Sequence, residues 1–150
     1  MITFRIFGEA SKSRIKLYDD HSFGELDRLN QWDYQISIEV VSSIIVLNID
    51  TKSNRCISVE GYIAVNNKNI KSLKIPESIR SGLNINGIIN DDLTSTYKLN
   101  HRKFHFDLNQ NILAYGDYNT KYPFYEFGVG QYIAIDKNGK IESLIIKFEK

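Results

Sequence analysis

Tyr34-Gln35-Ile36-Ser37-Ile38-Glu39-Val40-Val41 is the stretch that decides the fold class. Tyr34, Ile36, Ile38 and Val40 fall on one side of an extended chain, and Gln35, Ser37 and Glu39 on the other. Successive side chains of a strand point to opposite faces, so this alternation describes a half-buried β-strand and not a helix. The pattern recurs outward from it. Ile57, Val59, Ile63 and Val65 share a face across Gly61, Leu93 to Leu99 alternates, and so do Phe104, Phe106 and Leu108. The 22 Ile against 4 Ala agree, because β-branched side chains suit a pleated surface and a helical domain uses more Ala and Leu. Codon bias can also enrich Ile, Asn, Lys and Tyr, so composition supports the pattern without replacing it.

Ile2 to Phe7 and Ser13 to Tyr18 read as an opening pair of strands around a turn at Gly8. Ser22-Phe23-Gly24-Glu25 has the form of a capping box and predicts a short helix to about Trp32, with Phe23, Leu26, Leu29 and Asn30 along it. Ser42-Ser43 precedes a strand over Ile44 to Asp50, and Thr51 to Asn54 turns the chain into Cys56 to Val65. Asn66 to Asn69 closes that strand before another at Ile70 to Ile75. Pro76 to Ser81 predicts one or two helical turns, stopped by Gly82, and Asn86-Gly87 marks a tight turn. Asp136-Lys137-Asn138-Gly139 is the strongest hairpin signal, joining Gln131 to Ile135 with Lys140 to Phe148. The expectation is a mainly β chain with minor helix: an antiparallel sandwich or strongly bent sheet of about nine or ten strands with one or two short helices. No linker, repeat or low-complexity run divides residues 1–150, which read as a single domain.

Nineteen basic residues against 18 acidic ones leave a net charge of +1, which gives no support to whole-protein steering toward nucleic acid or membrane. The charges are unevenly spread. Tyr18 to Glu39 holds six acidic residues (Asp19, Asp20, Glu25, Asp27, Asp33, Glu39) against Arg28, whereas Thr51 to Asn100 holds seven basic and four acidic. Cys56 is the single cysteine, so no internal disulfide forms. The N-terminus lacks the apolar core of a signal peptide, and the run Ile44 to Leu47 is too short to span a bilayer, so a cytoplasmic protein without membrane contact is expected.

The search for chemistry yields little. His101 and His105 stand at i, i+4, but on a strand that spacing separates them by about 13 Å, so no metal site is expected. Cys56 has nothing nearby to activate it, and Asp19-Asp20 and Asp91-Asp92 read as turn-forming pairs rather than acid–base dyads. Gly128-Val129-Gly130 lacks the spacing of a phosphate loop, and no cofactor is expected. Lys68, Lys71, Lys74 and Arg80 form the nearest thing to a basic stripe, without a nucleic-acid-binding consensus, and direct nucleic-acid binding is not expected.

Between Tyr115 and Phe127 lie six aromatic residues in thirteen positions. Counting by two, Tyr118, Tyr122, Phe124 and Glu126 share one side, and Tyr125 and Phe127 the other. One core cannot take both sides, so Tyr118, Tyr122 and Tyr125 are candidates to meet a protein partner alongside Asp19, Asp20, Glu25, Asp27 and Asp33. A single-domain, Ile/Asn/Lys-rich chain with a local acidic patch and no cofactor motif resembles bacterial immunity proteins. These neutralise the toxic domain of a contact-dependent inhibition or other polymorphic toxin, often a nuclease. The resemblance implies a protein-binding inhibitor whose carboxylates cover a cationic toxin cleft, with tyrosines packing around them. The +1 charge departs from the acidic balance of inhibitors of basic nucleases, which leaves the activity of the toxin open. The alternative is a small-ligand-binding or enzymatic β-domain with a site built from His101, His105, Asp117 and Glu126. Exposed strand edges leave room for a homodimer, which is not expected.

Overall fold

Fourteen strands form within the described residues. The computed structural model describes residues 2–27, 31–40, 43–64, 70–87, 94–99 and 103–149, with backbone alone at 39, 40, 94 and 95. The strands are β1 (Thr3–Ile6), β2 (Ile15–Leu17), β3 (Ser22–Glu25), β4 (Tyr34–Val40), β5 (Ser43–Asp50), β6 (Arg55–Tyr62), β7 (Ser78–Arg80), β8 (Leu83–Asn86), β9 (Thr94–Tyr97), β10 (Phe104–Asp107), β11 (Ile112–Gly116), β12 (Phe124–Gly128), β13 (Gln131–Ile135) and β14 (Ile141–Lys147). An eight-stranded sheet has the order β1-β8-β6-β5-β4-β9, with β3 pairing with both β6 and β2. A six-stranded sheet has the order β10-β11-β14-β13-β12-β7.

One apolar core draws on both sheets. Ile36 and Ile38 of β4, Ile45, Leu47 and Ile49 of β5, and Val59 of β6 are fully buried in the same cluster as Leu113, Tyr115, Phe127, Ile133, Leu144 and Ile146 of the second sheet. Phe23 of β3 meets Phe148, after β14, at 5.1 Å between ring centroids. The Ile141 backbone N–H donates to the Tyr97 hydroxyl at 3.0 Å, a polar tie between the sheets.

The mainly β expectation holds, and the structure corrects its details. Ser22–Glu25, read as a helix start, is strand β3, because Phe23 enters the common core and the backbone pairs with β2 and β6. Residues 28–30 of that expected helix lie outside the described residues, and no helix occurs among those that are described. Pro76 to Ser81 is likewise not helical; Ser78–Arg80 forms edge strand β7, whose backbone bonds go to β12. The opening segments do not pair with each other, since β1 pairs with β8 and β2 with β3. Nor is the pairing purely antiparallel: β9 on β4 and β7 on β12 are parallel edges. The hairpin at 136–139 forms as expected, closed by Asp136 N–H to the Lys140 carbonyl at 2.8 Å with Gly139 at φ 76°.

Residues 11–13 join the two sheets through a β-bulge in each. On β6 Ile57 is the extra residue, because Asn48 faces Ser58 while Ile49 faces Cys56. On β12 Phe127 is the extra residue, because Glu126 faces Tyr132 while Gly128 faces Gln131. A bulged residue leaves the strand ladder, so its carbonyl needs another donor. The Ser11 and Ser13 hydroxyls donate to the Ile57 carbonyl at 2.6 and 2.8 Å, and the Ser11 N–H donates to the Phe127 carbonyl at 2.8 Å. The buried Gln131 amide then donates to the Ser13 carbonyl at 3.0 Å.

A second apolar layer covers the outer face of the six-stranded sheet. Ala114 and Ala134 form a low floor, on which Leu73, Phe124, Tyr132, Tyr118 and Tyr122 pack. Asp107 fastens this layer by accepting the N–H groups of Leu73 (2.9 Å), Asn109 (3.0 Å) and Gln110 (3.1 Å). These donors, the Leu73 N–H foremost, hold its carboxyl below the ordinary carboxylate range. A depressed folded pKa stabilises above the unfolded value, and that stability is lost as pH falls through the acid range. Asp107→Asn is therefore expected to destabilise the protein at pH 7 and to narrow its stability difference from wild type as pH falls toward about 3, read by urea unfolding at both pH values. A pH-independent difference would contradict the assignment.

Gly61 is a point of obligatory close approach, where β6 pairs with both β5 and β3. A Cβ at this position would lie 2.1 Å from the Ile44 carbonyl oxygen and 2.8 Å from the Phe23 ring. Gly61→Ala is expected to cost about 1–3 kcal/mol in denaturant unfolding, with an unchanged midpoint counting against the pairing.

Candidate functional site

Polar positions that alternate with the core on β4, β5 and β6 line up on the outer face of the eight-stranded sheet. Gln35 lies directly opposite Asn48, and Asn48 directly opposite Ser58. The Gln35 amide nitrogen donates to Asn48 Oδ1 and to Glu60 Oε1, both at 3.0 Å, and the Asn48 amide donates to Ser58 Oγ at 3.0 Å. Asn48 is only 3% exposed, so this ladder supplies hydrogen bonds that a buried amide would otherwise lack at a cost of about 1–3 kcal/mol.

This ladder floors a groove of about 820 Å³. Tyr18, Trp32, Glu25 and Glu60 line it along with the ladder residues, and among the described residues no Lys or Arg does. Tyr18 and Trp32 remain 44% and 41% exposed, so both rings keep surface open to a second molecule. Lys16 lies at the rim, its ammonium 5.6 Å from the centre of the Tyr18 ring.

The sequence-chosen residues separate. Asp19 and Asp20 form the β2–β3 turn beside the groove, and Glu25 lines it. Asp20 accepts the Ser22 N–H at 2.9 Å and the Ser22 hydroxyl at 2.6 Å, which hold its carboxyl below the ordinary range. Asp27 pairs with Arg14 at 2.6 Å, Asp33 accepts the Thr51 N–H at 2.8 Å and the Thr51 hydroxyl, and neither lines the groove. Tyr118 and Tyr122 pack on the outer layer of the other sheet. Tyr125 is half-buried on β12 opposite Ile79 of β7, whose side chain is 68% exposed. The acidic and tyrosine-rich patches thus belong to different sheets and do not make one surface.

The residues of the alternative site do not converge. Glu126 is held by Arg80 at 3.1 Å and by the Gly130 N–H at 3.1 Å. His105 lies four strands away in sheet order, roughly 19 Å, with its ring edge-on to Tyr118. Burial, with Lys71 and Lys103 nearby, lowers the His105 pKa and favours the neutral imidazole. Asp117 caps its own loop by accepting the Asn119 N–H at 3.1 Å. His101, Asp91, Asp92 and Lys68 lie outside the described residues. Among the described residues no group of three or more His, Cys, Asp or Glu is placed to hold a metal ion, and no helix is long and apolar enough to cross a membrane.

The groove residues Tyr18, Trp32, Gln35, Asn48, Ser58 and Glu60 escaped the sequence reading. Their signal is a polar residue at each outward position of neighbouring strands, which becomes a site only once register is known. No protein-family model matches the chain, and no curated protein matches it in sequence.

Cys56 is 1% exposed, and burial pushes its thiol up to about 12, which removes it as a nucleophile. In the folded protein at pH 8 an aromatic disulfide reagent is expected to release no chromophore, and one equivalent after denaturation. Stoichiometric reaction of the folded protein would contradict this burial.

Proposed function

We propose that the chain is a protein-binding inhibitor of the immunity type, which receives a basic protein partner on the outer face of its eight-stranded sheet. The observation that carries this reading is the acidic groove itself: a concave sheet face with Glu25 and Glu60 along it, no basic residue among the described ones that line it, and two half-exposed aromatic rings, Tyr18 and Trp32. Large aromatic anchors in a concave site surrounded by charge are the usual basis of a tight protein interface. Asp19 and Asp20 extend the negative field at the rim and would speed encounter with a cationic surface. The partner class that fits is a toxin domain with a cationic cleft, the same class that the acidic stretch favours. Tyr18 and Trp32 take the anchoring part first assigned to Tyr118, Tyr122 and Tyr125.

Affinity capture from the native cell tests this, with wild-type protein and an Asp19→Lys, Asp20→Lys, Trp32→Ala variant as parallel baits. Wild type is expected to retain a stoichiometric basic protein that the variant loses. That protein, expressed alone, is expected to arrest growth, with relief on co-expression of the wild-type chain. No stoichiometric partner, or equal recovery by the folded variant, would overturn the binding reading. A captured partner without toxicity would overturn the immunity part of it.

A further inference from the structure

The hydrogen-bond polarity of the groove floor narrows what can enter it. Both amide hydrogens of Gln35 are spent inside the floor, one on Asn48 Oδ1 and one on Glu60 Oε1. Gln35 Oε1 and Glu60 Oε2 accept no bond among the described residues, and both side chains are half-buried, not fully covered. The mouth of the groove therefore offers acceptors, one of them a carboxylate oxygen, and its amide donors are turned inward. A ligand acceptor, such as a carboxylate or phosphate, would meet repulsion from Glu60. A cationic donor would meet complementarity.

The rings refine this further. A guanidinium is planar, weakly hydrated, rich in donors and able to stack on an aromatic face, whereas an ammonium is a compact, strongly hydrated charge. Trp32 and Tyr18 line the same groove as Glu60 and Gln35, so one side chain can satisfy both features. Lys16 already sits over Tyr18 at the rim, its ammonium 5.6 Å from the ring centre, so Trp32 is the ring to which a second cation is assigned.

We infer that the groove seats an arginine side chain of the protein partner, its guanidinium donating to Glu60 and Gln35 with Trp32 beside it. The inference rests on the protein-binding reading above and names the chemistry of that same site.

Nuclear magnetic resonance titration of the full chain with three capped probes tests it: Gly-Arg-Gly, the same peptide with neutral citrulline, and a neutral N-acetylglucosamine oligomer. The arginine peptide is expected to shift the Trp32 indole N–H and the Gln35 side-chain amide. The citrulline peptide and the sugar are expected to leave them in place. Glu60→Gln, which keeps size and shape, is expected to weaken arginine-peptide binding about tenfold with the rest of the spectrum retained. Equal shifts from the citrulline peptide, an unchanged affinity in the folded Glu60→Gln protein, or no shift at millimolar peptide would each overturn the inference. Shifts from the sugar alone would assign the groove to saccharides instead. The two proposals fail separately. If Glu60→Gln still captures the cellular partner and Trp32→Ala does not, the protein-binding reading survives and the arginine inference falls.

Discussion

The hydrogen bonds of residues 11–13 are the constraint on which the arrangement of the two sheets depends. Each sheet carries a bulge, at Ile57 and Phe127, and each bulge releases a carbonyl from its ladder. Ser11 and Ser13 supply both carbonyls, and Gln131 closes the seam from the second sheet. A buried carbonyl without a donor costs as much as a lost hydrogen bond, so the two bulges and the serine segment require one another. β2 continues directly from this segment, pairing with β3 on one sheet while Arg14 and Lys16 make single parallel bridges to Val129 and Glu149. The sandwich is thereby closed along this side.

With the sheets so fixed, their outer faces have opposite fates. The six-stranded sheet presents the small side chains of Ala114 and Ala134, and a layer of leucine and tyrosine fills the space above them. The eight-stranded sheet presents Gln35, Asn48, Ser58 and Glu60, which bond to one another and leave a groove above. A floor of alanines favours coverage by the chain's own aromatics, since uncovered apolar area is costly. A floor of amides bonded to one another tolerates water and needs no such cover.

Much of the fold was legible because burial enforces a period of two. Tyr34, Ile36 and Ile38 are buried as their alternation requires, and the 136–139 hairpin forms where its turn residues place it. The helix expectations at Ser22 and Pro76 failed for a common reason. Each rests on a local capping or first-turn preference of about 1 kcal/mol, and in each case backbone pairing with another strand outweighs it. The site was less legible. Of the acidic stretch, Asp19, Asp20 and Glu25 come to the groove, whereas Asp27 and Asp33 make contacts with Arg14 and Thr51 that no local pattern announces.

The sequence by itself determined a β-rich chain with an inward apolar face, the position of its last hairpin, and an inert, isolated cysteine. These follow from short-range rules: alternation, turn chemistry and residue type. Only the tertiary structure decided that Gln35, Asn48 and Ser58 stand side by side, that Trp32 and Tyr18 border the same groove, and that Tyr118 and Tyr122 pack on the opposite sheet. Register and strand order join residues far apart in the chain, and shifting one strand by a single residue would turn that strand's polar positions toward the core. That information resides in the packing of the two sheets against each other, not in any one segment.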